Sequence, residues 1–184
     1  MAEPNEKTYT GSIERLRAPE RIKKLEIHRV TELTLNKCPA DSLLDIGTGS
    51  AVFAQAFAGV PLHVTGIDVN DEMLAEARRL VSDACFCNGS MENIPFGNHS
   101  FDIVFMAHVL HEADDIIAAL AEAARVVRLR VAVLEWPYRD ETSGPPLKHR
   151  LSEKAVVHAA EQAGLLKIDI VHLDYMVLYL MDCI

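Results

Sequence analysis

Short apolar runs alternate with amphipathic segments through the middle of the chain, and this alternation limits the fold more than any other feature. The first run, Ser42 to Ile46, stops at Gly47 and is followed by residues with helical spacing up to Gly59. Four more runs follow, at residues 62–68, 84–88, 101–107 and 131–135. Repeated strand and helix units predict an open, mostly parallel sheet with helices on both faces, whose ligands bind at the carboxyl ends of the strands.

Both ends of the chain extend this pattern. Residues 8–17 are predicted to form an irregular arm, and one helix is predicted from Pro19 to just before Cys38. The segment 136–151 is longer than most connections, so it is a candidate lid or binding loop. Ser152 is suited to cap the last helix, and the runs KIDIVHL and YMVLYLM predict a terminal antiparallel pair of strands.

Composition and charge limit the class of protein. With 184 residues, of which 49% are hydrophobic and 24% charged, the chain fits a single globular domain. Its net charge of −9 repels phosphate backbones, which argues against DNA as a partner and disfavours RNA.

Targeting and metal signals are not evident in the sequence. The start, MAEPNEK, has no apolar stretch, and no uncharged apolar run approaches the roughly 18 residues that span a bilayer. The four cysteines are too few and too scattered for a disulfide framework, and no zinc-site spacing occurs. We therefore expect a cytoplasmic protein with reduced thiols, no membrane span and no bound metal. The oligomeric state is not specified, and a homodimer stays open.

The first strand runs into D-I-G-T-G-S-A, a turn suited to a nucleotide. Gly47 and Gly49 lack Cβ, so ligand and backbone can approach closely and φ can be positive. Asp68 lies 21 positions after Gly47, where a carboxylate can accept hydrogen bonds from both ribose hydroxyls of an adenosine, although capping of the next helix is an alternative role. These features fit NAD and S-adenosylmethionine equally.

Two residues separate the two cofactors. A dinucleotide-binding turn needs a third glycine at position 52, where this chain has Val52. Asp45 places a carboxylate just before the turn, which is unfavourable beside a pyrophosphate but suited to the ammonium group of a methionine. Both residues favour S-adenosylmethionine, and a nicotinamide dehydrogenase becomes the less favoured enzyme class.

Three motifs resemble those of the class I S-adenosylmethionine-dependent methyltransferases, in particular the small-molecule branch similar to the menaquinone and ubiquinone biosynthesis methyltransferases. These motifs are LLDIGTGSA, GIDVNDEMLAEAR and NIPFGNHSFDIVFMAHVLHE. The resemblance implies a Rossmann-like sheet of seven strands in the order 3-2-1-4-5-7-6, with strand 7 antiparallel. It divides the single domain, 1–184, into an N-terminal arm and helix (1–39), a cofactor-binding core (40–136) and a part with the long loop, last helix and strand pair (137–184).

The resemblance also implies which residues bind S-adenosylmethionine. Asp45 and the glycine turn would hold the methionine part, and Asp68 with its neighbour would hold the ribose and adenine. Ala107 and His108, at the end of strand four, would border the methyl group. The complete implied set is Asp45, Gly47, Thr48, Gly49, Asp68, Val69, Ser90, Met91 and Ala107.

The chain departs from the family pattern at three places. Ser90 stands where the family commonly has Asp against the adenine, so that contact is weakened or passes to Glu92 or a backbone carbonyl. Ala51 replaces the last glycine of the turn, and the usual Pro-Gly-Gly before strand five is missing from RVVRLRVAV, which shortens that turn.

Methyl transfer requires mainly alignment of the acceptor and exclusion of water, although oxygen and carbon acceptors often need a base. His108, His111 and Glu112 follow strand four at the predicted ligand edge. We predict His111 as the base, with His108 beside it; a capping or solvent-exposed role is the alternative for each. Residues of the long loop and of the arm are candidates to border the acceptor: Trp136, Tyr138, His149, Arg150, Tyr9 and Thr10.

The function predicted from these residues is methyl transfer from S-adenosylmethionine to a small-molecule acceptor by in-line displacement, which yields S-adenosylhomocysteine. A non-catalytic S-adenosylmethionine-binding protein is the alternative of a different class, because Ser90 and the shortened turn leave room for it. The sequence specifies neither the acceptor nor the atom that is methylated.

Overall fold

The computed structural model describes Lys7, Tyr9 and residues 11–183. Within this part of the chain one sheet carries helices on both faces. The strands are β1 Ser42–Ile46, β2 His63–Asp68, β3 Ala84–Asn88, β4 Phe101–Ala107, β5 Val127–Glu135, β6 Lys167–His172 and β7 Val177–Asp182. The helices are α1 Ile13–Leu16, α2 Pro19–Lys24, α3 Ile27–Leu35, α4 Val52–Ala58, α5 Asp71–Leu80, α6 Ile116–Val126 and α7 Glu153–Gln162. Two short 3₁₀ turns lie at Leu110–Glu112 and Leu147–His149.

The strands lie in the order β3-β2-β1-β4-β5-β7-β6. The first five are parallel, and β7 runs antiparallel to both β5 and β6. The predicted fold class, strand order and antiparallel strand 7 are therefore confirmed. The order reverses between β1 and β4, so this is the point of the sheet at which ligands are expected to bind.

The two faces of the sheet bury two separate apolar clusters. Alternate residues of the central strands point to opposite faces, so Leu44 and Met106 belong to the cluster covered by α6 and α7. Leu43 and Phe105 belong to the other cluster, which is covered by α3, α4 and α5. Burial on both faces explains why β1 and β4 read as continuous apolar runs in the sequence.

The N-terminal part differs from the prediction of one irregular arm and one helix. Residues 13–16 form α1 rather than irregular structure, and the predicted single helix is broken between α2 and α3 by Glu26, which has φ +45°. The Glu26 carboxylate accepts the N–H of Asp174, which ties the break to the turn between β6 and β7. The break lets α2 contact the end of β4 while α3 packs on α4. Thr10 of the predicted arm lies outside the described residues.

The fifth strand begins earlier than residue 131, the predicted start. Helix α6 ends at Val126 and β5 begins at Val127, with no intervening loop. Pairing with β4 explains the longer strand, because Phe101 lies opposite Val127 and an irregularity follows before regular register resumes. The shortened turn expected from the missing Pro-Gly-Gly is thus a direct passage from helix to strand.

The long loop after β5 is folded around the buried side chain of Arg150, which is 4% exposed. Its guanidinium donates to the carbonyls of Pro137, Ser143 and Pro145 and to the Glu141 carboxylate at 2.6–3.0 Å. The guanidinium carbon also lies 5.4 Å from the centre of the Trp136 ring. These contacts fix the loop as a compact cap at the carboxyl end of β5.

Among the residues that the structure describes, no helix combines the length and apolar character needed to cross a membrane.

Arg130 joins three elements and provides a test of this packing. Its Nε donates to Asp182 of β7 at 2.6 Å. Its Nη1 donates to the carbonyls of Thr34, in the last turn of α3, and Asn36, just after that helix, at 2.8 and 3.0 Å. We expect Arg130→Met to lower the free energy of unfolding by about 2 kcal/mol, because these acceptors lose a charged donor. Denaturant unfolding of the purified protein measures this change.

The matched control is Arg79→Met, because Arg79 pairs with Glu76 on an exposed helix surface. That change should cost much less stability, because an exposed ion pair contributes little to folding. Equal effects of the two substitutions would show that Arg130 does not hold these elements together.

Candidate active site

The turn after β1 has the backbone that its glycines predict. Gly47 and Gly49 have φ of +65° and +51°, and a Cβ on Gly47 would lie 2.5 Å from the Val109 side chain. The N–H of Thr48 donates to the carbonyl of Ile67, so the turn is fastened to the end of β2. Ala51, which replaces the last motif glycine, also has a positive φ of 58° and is buried. The turn therefore keeps the glycine-type backbone at that position.

Asp45 is a buried acid at the base of this turn, 2% exposed. Burial raises the pKa of its carboxyl to about 7, against a hydrogen bond of 2.7 Å from the Thr48 hydroxyl, and the Asp68 carboxylate raises it further. Among the described residues no cationic side chain acts on this pKa. The turn thus contains a carboxyl group that a cation from a ligand would stabilise in its charged form.

Asp68 links this turn to the next one. Its two carboxylate oxygens accept the N–H groups of Gly49 and Asn70, each at 2.9 Å. Burial raises the pKa of Asp68, while these backbone bonds oppose the shift. The alternative role of Asp68 as helix cap is wrong, because the Asn70 side chain caps α5 by accepting the N–H groups of Glu72 and Met73.

A cavity of about 320 Å³ lies between the N-terminal arm and the start of α5. Tyr9, Gly11 and Ser12 line one side, and Asn70 and Met73 line the other. The backbone N–H of Asn70 donates to the Asp68 carboxylate, so this cavity lies next to the end of β2.

Ser90 and Met91 lie at the same edge, just after β3. The N–H of Gly89 donates to the Asp68 carbonyl, which brings this segment to the end of β2. The Ser90 hydroxyl accepts the N–H of Glu92, and Glu92 itself accepts the N–H of Asp115 at 2.7 Å. Glu92 therefore already holds the segment before α6, which makes it a poor replacement for the missing family Asp.

His108 follows Ala107 at the end of β4 and is enclosed. Its Nδ1 lies 3.3 Å from Nη2 of Arg21 and its Nε2 lies 3.2 Å from the sulfur of Met176, while its ring stacks on Trp136 at a centroid distance of 4.8 Å. Burial, followed by the nearby Arg21 charge, lowers the pKa of His108 well below its usual value. His108 is thus a neutral, packed imidazole at neutral pH.

His111 and Glu135 form a buried pair, and the role of Glu135 is not evident from the sequence. The His111 Nδ1 lies 2.9 and 3.1 Å from the two carboxylate oxygens of Glu135, which also accept the N–H groups of His111 and Trp136. Burial acts to lower the pKa of His111, but the charge and hydrogen bond of Glu135 outweigh it, so the pKa is raised. The only sequence signal for Glu135 is its place at the end of a strand that reaches this edge.

Glu112 adds a second titratable carboxyl to this turn. Burial raises its pKa to about 7, although the neighbouring His111 opposes this shift. The arm crosses the same turn, since Lys7 donates to the carbonyl of Ala113 at 3.2 Å. The sheet edge therefore has two parts: the acidic turn of Asp45 and Asp68, and the His111–Glu135 pair beneath the arm.

Comparison with known proteins gives a family match for the central part of the chain. Residues 44–132 match the family model described as "Methyltransferase domain". These residues form a methyltransferase domain. The resemblance inferred from the motifs is thereby confirmed for the part of the chain that contains the turn, Asp68 and the segment around His111.

This chain matches only part of the length of its curated relatives. A malonyl-acyl-carrier-protein O-methyltransferase of Erwinia billingiae is 34% identical over 46% of this chain and 34% of that protein. A ubiquinone/menaquinone biosynthesis C-methyltransferase of Rhizobium leguminosarum is 32% identical over 73% of this chain and 55% of that protein. The chain thus spans about a third to about a half of the length of these two relatives.

Similarity to solved structures extends over nearly the whole chain. The crystal structure of a SAM-dependent methyltransferase from Aquifex aeolicus covers 94% of this chain and 97% of its own, with a TM-score of 0.81 and 24% identity. At this identity the likeness concerns the fold, which is the one predicted from the strand order.

The buried carboxyl of Asp45 generates a prediction about pH. Its pKa of about 7 in the folded protein lies above its usual value of 3.8, so the folded state retains a proton that the unfolded chain releases. This contribution favours folding at low pH and is lost as pH rises toward 7. Asp45→Asn cannot titrate, so the stability of the wild-type protein relative to this variant should fall by about 2 kcal/mol between about pH 5 and pH 8.

Denaturant unfolding of both proteins at the two pH values measures this difference, and titrations elsewhere in the chain cancel between them. Stability curves that stay parallel across this range would mean that Asp45 is charged in the folded protein.

Proposed function

We propose that this protein transfers a methyl group from S-adenosylmethionine to a small-molecule acceptor. The observation that carries the proposal is the buried Asp45 carboxyl, which has no cationic partner among the described residues and borders a turn of two positive-φ glycines. The ammonium group of a methionine moiety supplies a positive charge, whereas a pyrophosphate would add further negative charge beside the carboxyl. The acidic turn therefore favours S-adenosylmethionine over NAD.

The residues at the edge suit the parts of this cofactor. Asp45, Thr48 and the two glycines would hold the methionine end, and Asp68 would accept bonds from the ribose hydroxyls through lone pairs that its backbone bonds leave available. Val69, Ser90 and Met91 would border the adenine, and Ala107 the methyl group. When bound, the cofactor supplies a methyl group that is already activated by the sulfonium charge.

The His111–Glu135 pair supplies a base for an acceptor that must lose a proton. Glu135 holds the Nδ1–H of His111, so the proton-accepting nitrogen of the neutral imidazole is Nε2. His108 differs, since both of its ring nitrogens contact other side chains and its pKa is lowered. We therefore assign the proton transfer to His111 and a packing role to His108.

We infer the cellular compartment and the partners of the reaction from the composition of the chain and from its relatives. The four free cysteines and the acidic composition suit the cytosol. A small-molecule acceptor is supported by the names of the two relatives, which refer to quinone biosynthesis and to a malonyl group on an acyl-carrier protein. DNA and RNA remain disfavoured by the net charge of −9. The homodimer stays a prediction.

The direct test is calorimetric titration of the purified protein with S-adenosylmethionine and with NAD, followed by incubation with a methyl-labelled donor and a metabolite extract. We expect binding of S-adenosylmethionine only, and a labelled small molecule. Binding without any labelled product would favour the non-catalytic alternative, and binding of NAD alone would contradict the proposal.

Asp68 should contribute directly to cofactor affinity. Replacing it by Asn keeps the shape but removes the charge that favours the ribose hydroxyls, so S-adenosylhomocysteine should bind about tenfold more weakly in calorimetry. Asp83→Asn removes one charge from an exposed turn and is the matched control, with unchanged affinity expected. Equal affinities of the Asp68→Asn variant and the wild type would remove Asp68 from the cofactor site.

Glu135 should control the pH profile of turnover through His111. Glu135→Gln removes the charge that raises the pKa of His111, so the acidic limb of the kcat profile should move to lower pH. The chain offers a matched control in Glu153→Gln, because Glu153 pairs with His172 at 2.8 Å on an exposed surface. That control should leave the limb in place. An acidic limb that does not move in Glu135→Gln would exclude His111 as the base.

A further inference from the structure

We infer that Arg21 recognises a carboxylate on the methyl acceptor and that the substrates of this protein are therefore small organic acids. The inference rests on the proposed function and deepens it, because it specifies the chemical class of the acceptor.

Arg21 lies beside the end of β4. It is part of α2, and its Nη2 is 3.3 Å from Nδ1 of His108, the residue that follows the end of β4. His108 is held by Met176 and by the Trp136 ring, so the guanidinium is positioned over a rigid support. The contact places a cation at the sheet edge shared with the His111–Glu135 pair.

The guanidinium of Arg21 is incompletely paired. Its Nε is buried and has no hydrogen-bond partner, and its Nη2 contacts the ring nitrogen of His108. Three other arginines of the chain each pair with an acid: Arg125 with Glu122, Arg130 with Asp182 and Arg150 with Glu141. Instead, Arg21 contacts a neutral imidazole, a weaker acceptor than a carboxylate.

The charge of the segment around Arg21 supports binding of an anion. Residues 13–24, which comprise α1 and α2, contain five Lys and Arg but two Glu, in a chain whose net charge is −9. A cationic segment above the edge of an otherwise acidic protein would attract an anion to this place. A planar guanidinium, whose Nε here has no partner, can then bind a carboxylate in a bidentate manner.

A purely structural role is the competing explanation, in which Arg21 only fastens α2 to β4. In that case substitution would change stability but would not change the preference between charged and neutral ligands. The two explanations can therefore be separated by ligands that differ in charge but little in shape.

The test uses two such pairs, benzoate with benzamide and acetate with acetamide, titrated calorimetrically into protein saturated with S-adenosylhomocysteine. We expect at least one carboxylate to bind wild-type protein about tenfold more tightly than its amide. Arg21→Gln should abolish this preference, and Arg21→Lys should retain part of it, because Lys keeps the charge without the planar donor pair. Lys23→Gln removes an exposed charge from the same helix and should preserve it.

Thermal unfolding of each variant verifies that the protein is folded, and the affinity for S-adenosylhomocysteine is measured first. Failure of S-adenosylhomocysteine to bind the wild-type protein would contradict the proposed function. Normal binding of S-adenosylhomocysteine would leave that function standing. The inference about Arg21 would then be overturned if the wild-type protein bound neither carboxylate more tightly than its amide. It would also be overturned if the preference for the carboxylate persisted unchanged in Arg21→Gln.

Discussion

A parallel sheet brings the carboxyl ends of its strands to one edge, and the site of this protein depends on that constraint. The ends of β1 and β2 bring Asp68 close enough to Asp45 for its charge to raise the pKa of Asp45, and the backbone N–H of Gly49 donates to Asp68 directly. The ends of β4 and β5 bring His111 to Glu135 across 24 residues of sequence. Both halves of the site thus follow from strand order rather than from local sequence.

The distribution of charge divides this edge into two regions with different chemistry. The turn after β1 is acidic and holds a carboxyl group with a raised pKa, which costs stability at neutral pH but prepares the turn for a cation. The segment above it is cationic, and Arg21 faces the end of β4. A cationic methyl donor and an anionic acceptor would therefore each meet the opposite charge, which favours their binding side by side.

Local sequence signals predicted most of the strands, helix caps and turns. Apolar runs located the strands, Asn70 and Ser152 cap their helices as expected, and the glycine turn has the positive φ that its residues require. What the sequence could not provide are contacts between distant residues. Glu135 reaches His111 through strand pairing, and the break at Glu26 is tied to a turn near the other end of the chain. The long loop folds around Arg150, whose guanidinium donates to carbonyls of the loop. None of these leaves a periodic pattern.

We expect Asp45 to bind the positively charged end of the cofactor, which would lower the raised pKa of its carboxyl. Carboxyl carbon NMR, with the resonance assigned by its loss in Asp45→Asn, measures the pKa of this group directly. Without a ligand the titration should be centred at about 7, and saturation with S-adenosylmethionine should lower the pKa well below that value. A pKa unchanged by saturating cofactor would contradict the account.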